Sequence, residues 1–132
     1  MHQVLQPAHW APPRGYVNGV AAARGTQVFV AGQIGWNADC RFESDDLVEQ
    51  TRQALLNVVA VLAEAGATPA HIVRMTWYLT DRADYLARGK EIGQVFRDTV
   101  GSYAIAMTAV QVAALIESRA KVEIEVTAVL PD

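Results

Sequence analysis

The sequence holds a single cysteine, Cys40, so no disulfide can form within the chain and the fold has to rest on packing. Lysine is scarce: Lys90 and Lys121 are the only ones, the arginines are scattered, and the net charge is −3 at pH 7. A nucleic-acid binder usually carries a basic stripe that neutralises phosphates, so no nucleic-acid partner is expected. No apolar run approaches the roughly 20 residues that cross a bilayer. The opening segment, MHQVLQPAHW, has no basic stretch followed by an apolar one, as a secretory leader would. No membrane partner is expected, and the expected location is cytoplasmic. His2, His9 and His71 stand apart, without a cysteine or carboxylate cluster beside them. Nucleotide-binding glycine loops and nucleophile elbows are absent too, so neither metal nor cofactor is expected.

What is present is an apolar chain of one domain's length. The 132 residues are 52% hydrophobic and 19% charged, enough for one core and too short for two. A single domain over residues 1–132 is expected. Pro7, Pro12 and Pro13 mark the stretch from Gln6 to Gly15 as irregular, because proline removes a backbone donor and fixes φ. Tyr16–Ala23 and Gln27–Gln33 read as strands joined by a turn at Arg24-Gly25-Thr26, which predicts a hairpin. Gly32, inside the second strand, marks a bulge or a close approach to the backbone.

Asp46–Ala65 is the strongest helix signal. Leu47, Thr51, Ala54, Leu55, Val58, Leu62 and Ala65 form one stripe, Asp46 and Glu49 resemble a capping box, and Gly66 follows. His71–Leu79 reads as a strand, with Val73, Met75, Trp77 and Leu79 on one face. A second helix is predicted from Asp81 to about Thr99, where Gly89 and Gly93 should let it sit close to a sheet. Tyr103–Leu115 is apolar on both faces, as in a strand buried on both sides. Val122, Ile124, Val126, Ala128 and Leu130 alternate with Lys121, Glu123, Glu125 and Thr127, the cleanest strand pattern in the chain. The order β-β-α-β-α-β-β places two helices on one face of a mixed sheet, an α+β class. The other face then needs a cover, which neighbouring subunits would supply.

Few residues suggest chemistry by pattern alone. Glu123 and Glu125 lie within a strong strand pattern. They serve either as a solvated face beside Lys121 or as a carboxylate that accepts a proton or orients water. Tyr16 and Trp36 are either packing aromatics or pocket walls, and Cys40 lies in a polar loop.

Several segments together resemble the Rid family of reactive-intermediate deaminases, also called the YjgF or endoribonuclease L-PSP family. They are Gly15-Tyr16 with Gly19-Val20, VFVAGQIGWN, the stretch Gln50–Leu62, EAGA, IVRMTWYLTDRADY and AKVEIEVTAVLP. The resemblance implies a chorismate-mutase-like fold assembled as a homotrimeric barrel, with small-molecule pockets at the subunit interfaces. In active members, an arginine of a Pro-Ala-Arg signature grips a substrate carboxylate, and a glutamate on the last strand places the water that attacks C=N. Here the signature reads Ile105-Ala106-Met107, and the position two further on, polar or a thiol in many members, is Ala109. Glu123 matches the glutamate, Tyr16 the pocket tyrosine and Gly32 the glycine of the pocket-lining strand. Met cannot hydrogen-bond a carboxylate, and losing such a contact in a partly buried site costs about 2–5 kcal/mol. Arg14 and Arg119 are the candidate replacements. The resemblance therefore implies an enamine or imine deaminase with altered or reduced activity. The alternative is a trimeric metabolite-binding protein without catalysis. A more remote one is the RNA-cleaving or translation-inhibiting role that some family names carry.

Overall fold

The structure, a computed structural model, describes residues 2–101 and 104–132. Its main element is a four-stranded sheet of order β3-β6-β4-β5, built from Gly25–Ile34 (β3), Val122–Pro131 (β6), Ile72–Leu79 (β4) and Ala106–Gln111 (β5). Antiparallel pairing joins β6 to β3 and to β4, whereas β5 runs parallel to β4. A separate ribbon pairs Gln3–Leu5 (β1) with Gly19–Ala21 (β2). The α+β class and the mixed sheet with helices on one face are as expected from the sequence.

The periodicities that were strongest in the sequence became the interior. Leu47–Glu64 forms α1, and the Asp46 carboxylate accepts the Glu49 N–H at 3.2 Å. Gly66 ends it in the left-handed region, φ +73°, where a glycine avoids the Cβ penalty. Leu55, Val58 and Leu62 of α1 meet Met75, Trp77 and Leu79 of β4 and Val122, Ile124 and Val126 of β6 in one buried cluster. A register shift between Ile72 and Arg74 puts Ile72 in that cluster and leaves Val73 half-buried, the reverse of the sequence alternation.

Four expectations need correction. The hairpin between Tyr16–Ala23 and Gln27–Gln33 does not form: β2 pairs with β1, and β3 pairs with β6 from Gly25 to Ile34. Tight hairpin turns need residues at positive φ. Gly25 is not among the positive-φ residues and is already the first residue of β3. The predicted second helix is two helices, Arg82–Ala87 (α2) and Gly89–Thr99 (α3), broken at Arg88 (φ −106°, ψ 20°). The Arg88 guanidinium there donates to Asp46 at 2.9 Å and to Glu91 at 2.8 and 2.9 Å, tying the joint to the start of α1.

The third correction concerns β5. It spans only Ala106–Gln111, and Tyr103, where the predicted strand began, lies outside the described residues. In the single chain β5 is an edge strand whose residues from Thr108 to Gln111 are exposed. The fourth concerns Gly89 and Gly93. Among the described residues, a Cβ at Gly89 would meet nothing within 4 Å, and one at Gly93 only the Arg97 guanidinium at 3.5 Å. They border open space rather than a closely packed sheet.

Candidate functional site

Strand register divides the candidate residues between the two faces of the sheet. Met107 pairs with Met75, and Ala109 with Trp77, so both belong to the face that α2 and α3 cover. Glu123 pairs with Tyr78, and Glu125 with Thr76, on the opposite face. One chain therefore does not bring Met107 and Glu123 into one cleft.

On the helix side lies a cavity of about 440 Å³, within the usual range for small-molecule sites. Met107 forms part of its floor with Trp77, Ile92 and Phe96. Trp77 is 1% exposed, with Tyr85 edge-on at 6.3 Å and Phe96 at 6.2 Å between ring centroids. Burial pushes the Tyr85 hydroxyl above its ordinary pKa. The Trp77 indole N–H has no acceptor among the described residues, which is unusual for a buried donor.

Tyr16 stands at the mouth of this cavity. The Val17 N–H donates to the Ile105 carbonyl at 3.0 Å, and Val17 bridges to Ala106. That pairing brings the tyrosine beside β5. Gly15 turns the chain there at φ +77°, a conformation that favours glycine. Ala109 is exposed on β5 beyond Met107.

Two guanidinium-bearing residues also line the cavity, Arg14 and Arg97. Arg14 was one of the candidate replacements. Arg119 was the other, and it sits elsewhere: it donates to Asp45 at 3.0 and 2.9 Å and lies over the Phe42 ring, 5.4 Å from its centroid. Arg97 escaped the sequence reading. The signal for it was present, since Gly89, Gly93 and Arg97 recur every fourth residue and share one helix face.

The other face holds the carboxylates. The backbone irregularity between Val30 and Gln33 includes Gly32, as a glycine within a strand suggested. A Cβ at Gly32 would fall on the Glu123 side chain, 2.8 Å from its carboxyl carbon. Gly32 is thus the space in which Glu123 lies. Among the described residues no ion pair joins Glu123 to Lys121, whose backbone N–H donates to Gln50 at 2.8 Å. The Tyr78 hydroxyl donates to Glu125 at 2.7 Å, and its pKa is raised chiefly by that bond. Phe29, 70% exposed, pairs with Thr127 nearby.

Other singled-out residues have structural surroundings. Trp36 packs on Phe42 at 5.8 Å between centroids. Cys40 is exposed at φ 59°. No group of three or more histidine, cysteine or carboxylate residues among the described residues is arranged to hold a metal.

A sequence profile of the family described as Endoribonuclease L-PSP matches residues 7–130. A RutC family protein of Synechocystis sp. is 34% identical over 131 residues, 98% of this chain and 97% of that protein. A protein of Escherichia coli named as the reactive intermediate deaminase TdcF is 34% identical over 114 residues, covering 86% and 85% of the two chains. Among solved structures, a Rid-family protein of Yersinia pestis superposes with a TM-score of 0.87 at 34% identity over 98% of both chains. Escherichia coli TdcF with bound serine superposes with a TM-score of 0.70 at 30% identity, over 97% of this chain and 98% of that one.

Proposed function

Because the chain belongs to the endoribonuclease L-PSP, or Rid, family, we propose that it hydrolyses reactive imines or enamines to a carbonyl compound and ammonia. The working site would form where copies of the chain meet. The observation that carries this reading is the division of the site: an apolar cavity with Met107 at the β5 edge, and a carboxylate, Glu123, over Gly32 on the uncovered face. Each half is incomplete alone. Docking the β5 edge of one copy onto the β3–β6 face of the next would unite them and cover Phe29 and Val110, which are 70% and 41% exposed. Such a contact joins two different surfaces, so it closes only as a ring. A homotrimer is the ring the resemblance implies, with a small molecule bound at each interface and neither cofactor nor nucleic acid required.

The chemistry assigned to the site is hydrolysis. Glu123 takes a proton from a water whose oxygen bonds to the C=N carbon, while the nitrogen gains a proton and becomes an amine. The hydroxyl proton of the resulting carbinolamine then passes to its amine as the C–N bond breaks, which leaves C=O and releases ammonia. One water is consumed, and no electrons are exchanged with an oxidant. Placing such a base typically contributes 10²–10⁴-fold.

Imines generated in situ by an amino-acid oxidase provide the test. The protein should accelerate their decay to 2-keto acid, Glu123→Gln should not, and light scattering should give three times the chain mass. A second reading, a metabolite-binding protein without catalysis, is favoured by Met107, which lacks the charge of a carboxylate anchor. It would be the correct one if no imine decays faster with the protein and Met107→Arg confers acceleration.

A further inference from the structure

The cavity beside Met107 carries more than an apolar floor. Gly89, Gly93 and Arg97 lie on one face of α3 and line it together. The two glycines contribute no side chain, which leaves room along the helix wall. The Arg97 Nη1 lies 3.5 Å from where a Gly93 Cβ would be, so the guanidinium folds back along the helix over that opening. The Arg97 Nη2 donates to Gln94 Oε1 at 3.0 Å, which orients the group. Arg14 lines the cavity from the segment that carries Tyr16, and the described lining residues include no carboxylate. Arg14 and Arg97 are both exposed, whereas Trp77 and Phe96 are buried. Charge therefore sits at the mouth and apolar surface at the base.

We propose that this cavity selects a carboxylate with a bulky apolar or aromatic body, held with the body over Met107 and Trp77 and the carboxylate at the mouth on Arg97 and Arg14. The proposal rests on the deaminase reading for the identity of the substrate, which becomes the 2-imino acid of a large apolar amino acid. A guanidinium fork suits a carboxylate, and the Met107 thioether adapts to an apolar group. The glycine pair sets the size limit. A small imino acid that reached the arginines would leave the cavity base unfilled.

The test uses the intact protein and stable probes: 3-phenylpropionate, its neutral amide 3-phenylpropionamide, and acetate, titrated calorimetrically. The expected order is phenylpropionate about tenfold tighter than the amide, from charge-assisted hydrogen bonding, and tenfold or more tighter than acetate, from burial of the ring. Arg97→Gln should shrink the acid-over-amide preference, and Arg97→Gln with Arg14→Gln should abolish it while leaving amide affinity in place. Gly93→Leu should raise the melting temperature, since a helix gains from losing glycine, yet weaken both phenyl ligands at least tenfold. Equal binding of acid and amide, a preference that survives the double variant, or unchanged phenyl affinity in Gly93→Leu would each overturn the proposal. The imine-decay assay decides deamination separately. Probe selectivity without imine decay would refute the deaminase reading alone, and imine decay without probe selectivity would refute this one alone.

Discussion

The two faces of the sheet divide the work differently. Under the helices, Trp77, Met75, Leu55 and Ile124 are at most 1% exposed, and side-chain volume dominates. On the other face, Phe29 stands 70% exposed in a depression it shares with Arg74 and Glu125, and the ordered contacts are polar, such as the 2.7 Å bond from Tyr78 to Glu125. A stable isolated domain would not normally spend an exposed aromatic and a carboxylate in a glycine-made space on a face it leaves bare. The difference is that the helix face holds the chain together, while the bare face carries the groups to which the proposed function assigns chemistry and assembly. The cavity at the β5 edge is the place where the two meet, since its floor is core and its mouth is surface.

Substitutions that separate stability from activity can break this comparison. The largest expected effect is on the bare face: Glu123→Gln should lower imine turnover by roughly 10²–10⁴-fold with little change in the urea midpoint. A matching loss of stability would place Glu123 among the structural residues. Next comes the helix face, where Trp77→Ala should cost about 3–5 kcal/mol in urea unfolding, as aromatic truncations in cores do. A cost below about 1 kcal/mol would show that the cavity beside it already relaxes freely.

Phe29→Asp should leave the chain folded by circular dichroism and dissociate the assembly. The burial forgone is about 1.5–3 kcal/mol per copy. An unchanged mass in light scattering would mean that this face is not where copies meet. The smallest effect is at the start of α1. The Arg88 guanidinium holds the Asp46 carboxyl below its ordinary pKa of 3.8. The stabilisation this gives is therefore present above about pH 4 and is lost as the pH falls through the depressed value. Asp46→Ala should cost about 1 kcal/mol at neutral pH through the lost cap and flatten the acid limb of the stability profile. An acid limb identical to the wild type would assign acid sensitivity to other carboxylates, Glu91 among them, whose pKa the same guanidinium lowers.

Legibility in the sequence followed locality. Helix α1, its Asp46 cap and its Gly66 terminator were readable because all three depend on residues within a few positions of each other. The alternation in β6 was readable because side chains leave a strand on alternate faces. The partner of β2 was not: by its pattern the segment Tyr16–Ala23 is equally fit to pair with β1 or with β3, and β2 pairs with β1 although β3, an edge strand, is bonded only to β6. Gly32 was recognisable as an approach point, but not what approaches it, since Glu123 lies far along the chain. Gly89 and Gly93 were visible and read as packing residues because a spacing of four does not tell a filled wall from an open one.

By itself the sequence determined the class of fold, the core-facing stripes and the family, because periodicity and motif spacing are properties of neighbouring residues. Tertiary structure alone decided that Met107 and Glu123 lie on opposite faces, that Arg119 is engaged by Asp45, and that Arg97 shares a cavity with Arg14 and Met107. Those outcomes depend on strand register and on where a helix crosses a sheet. Both are set by the burial of the whole core at once, so no local pattern carries them.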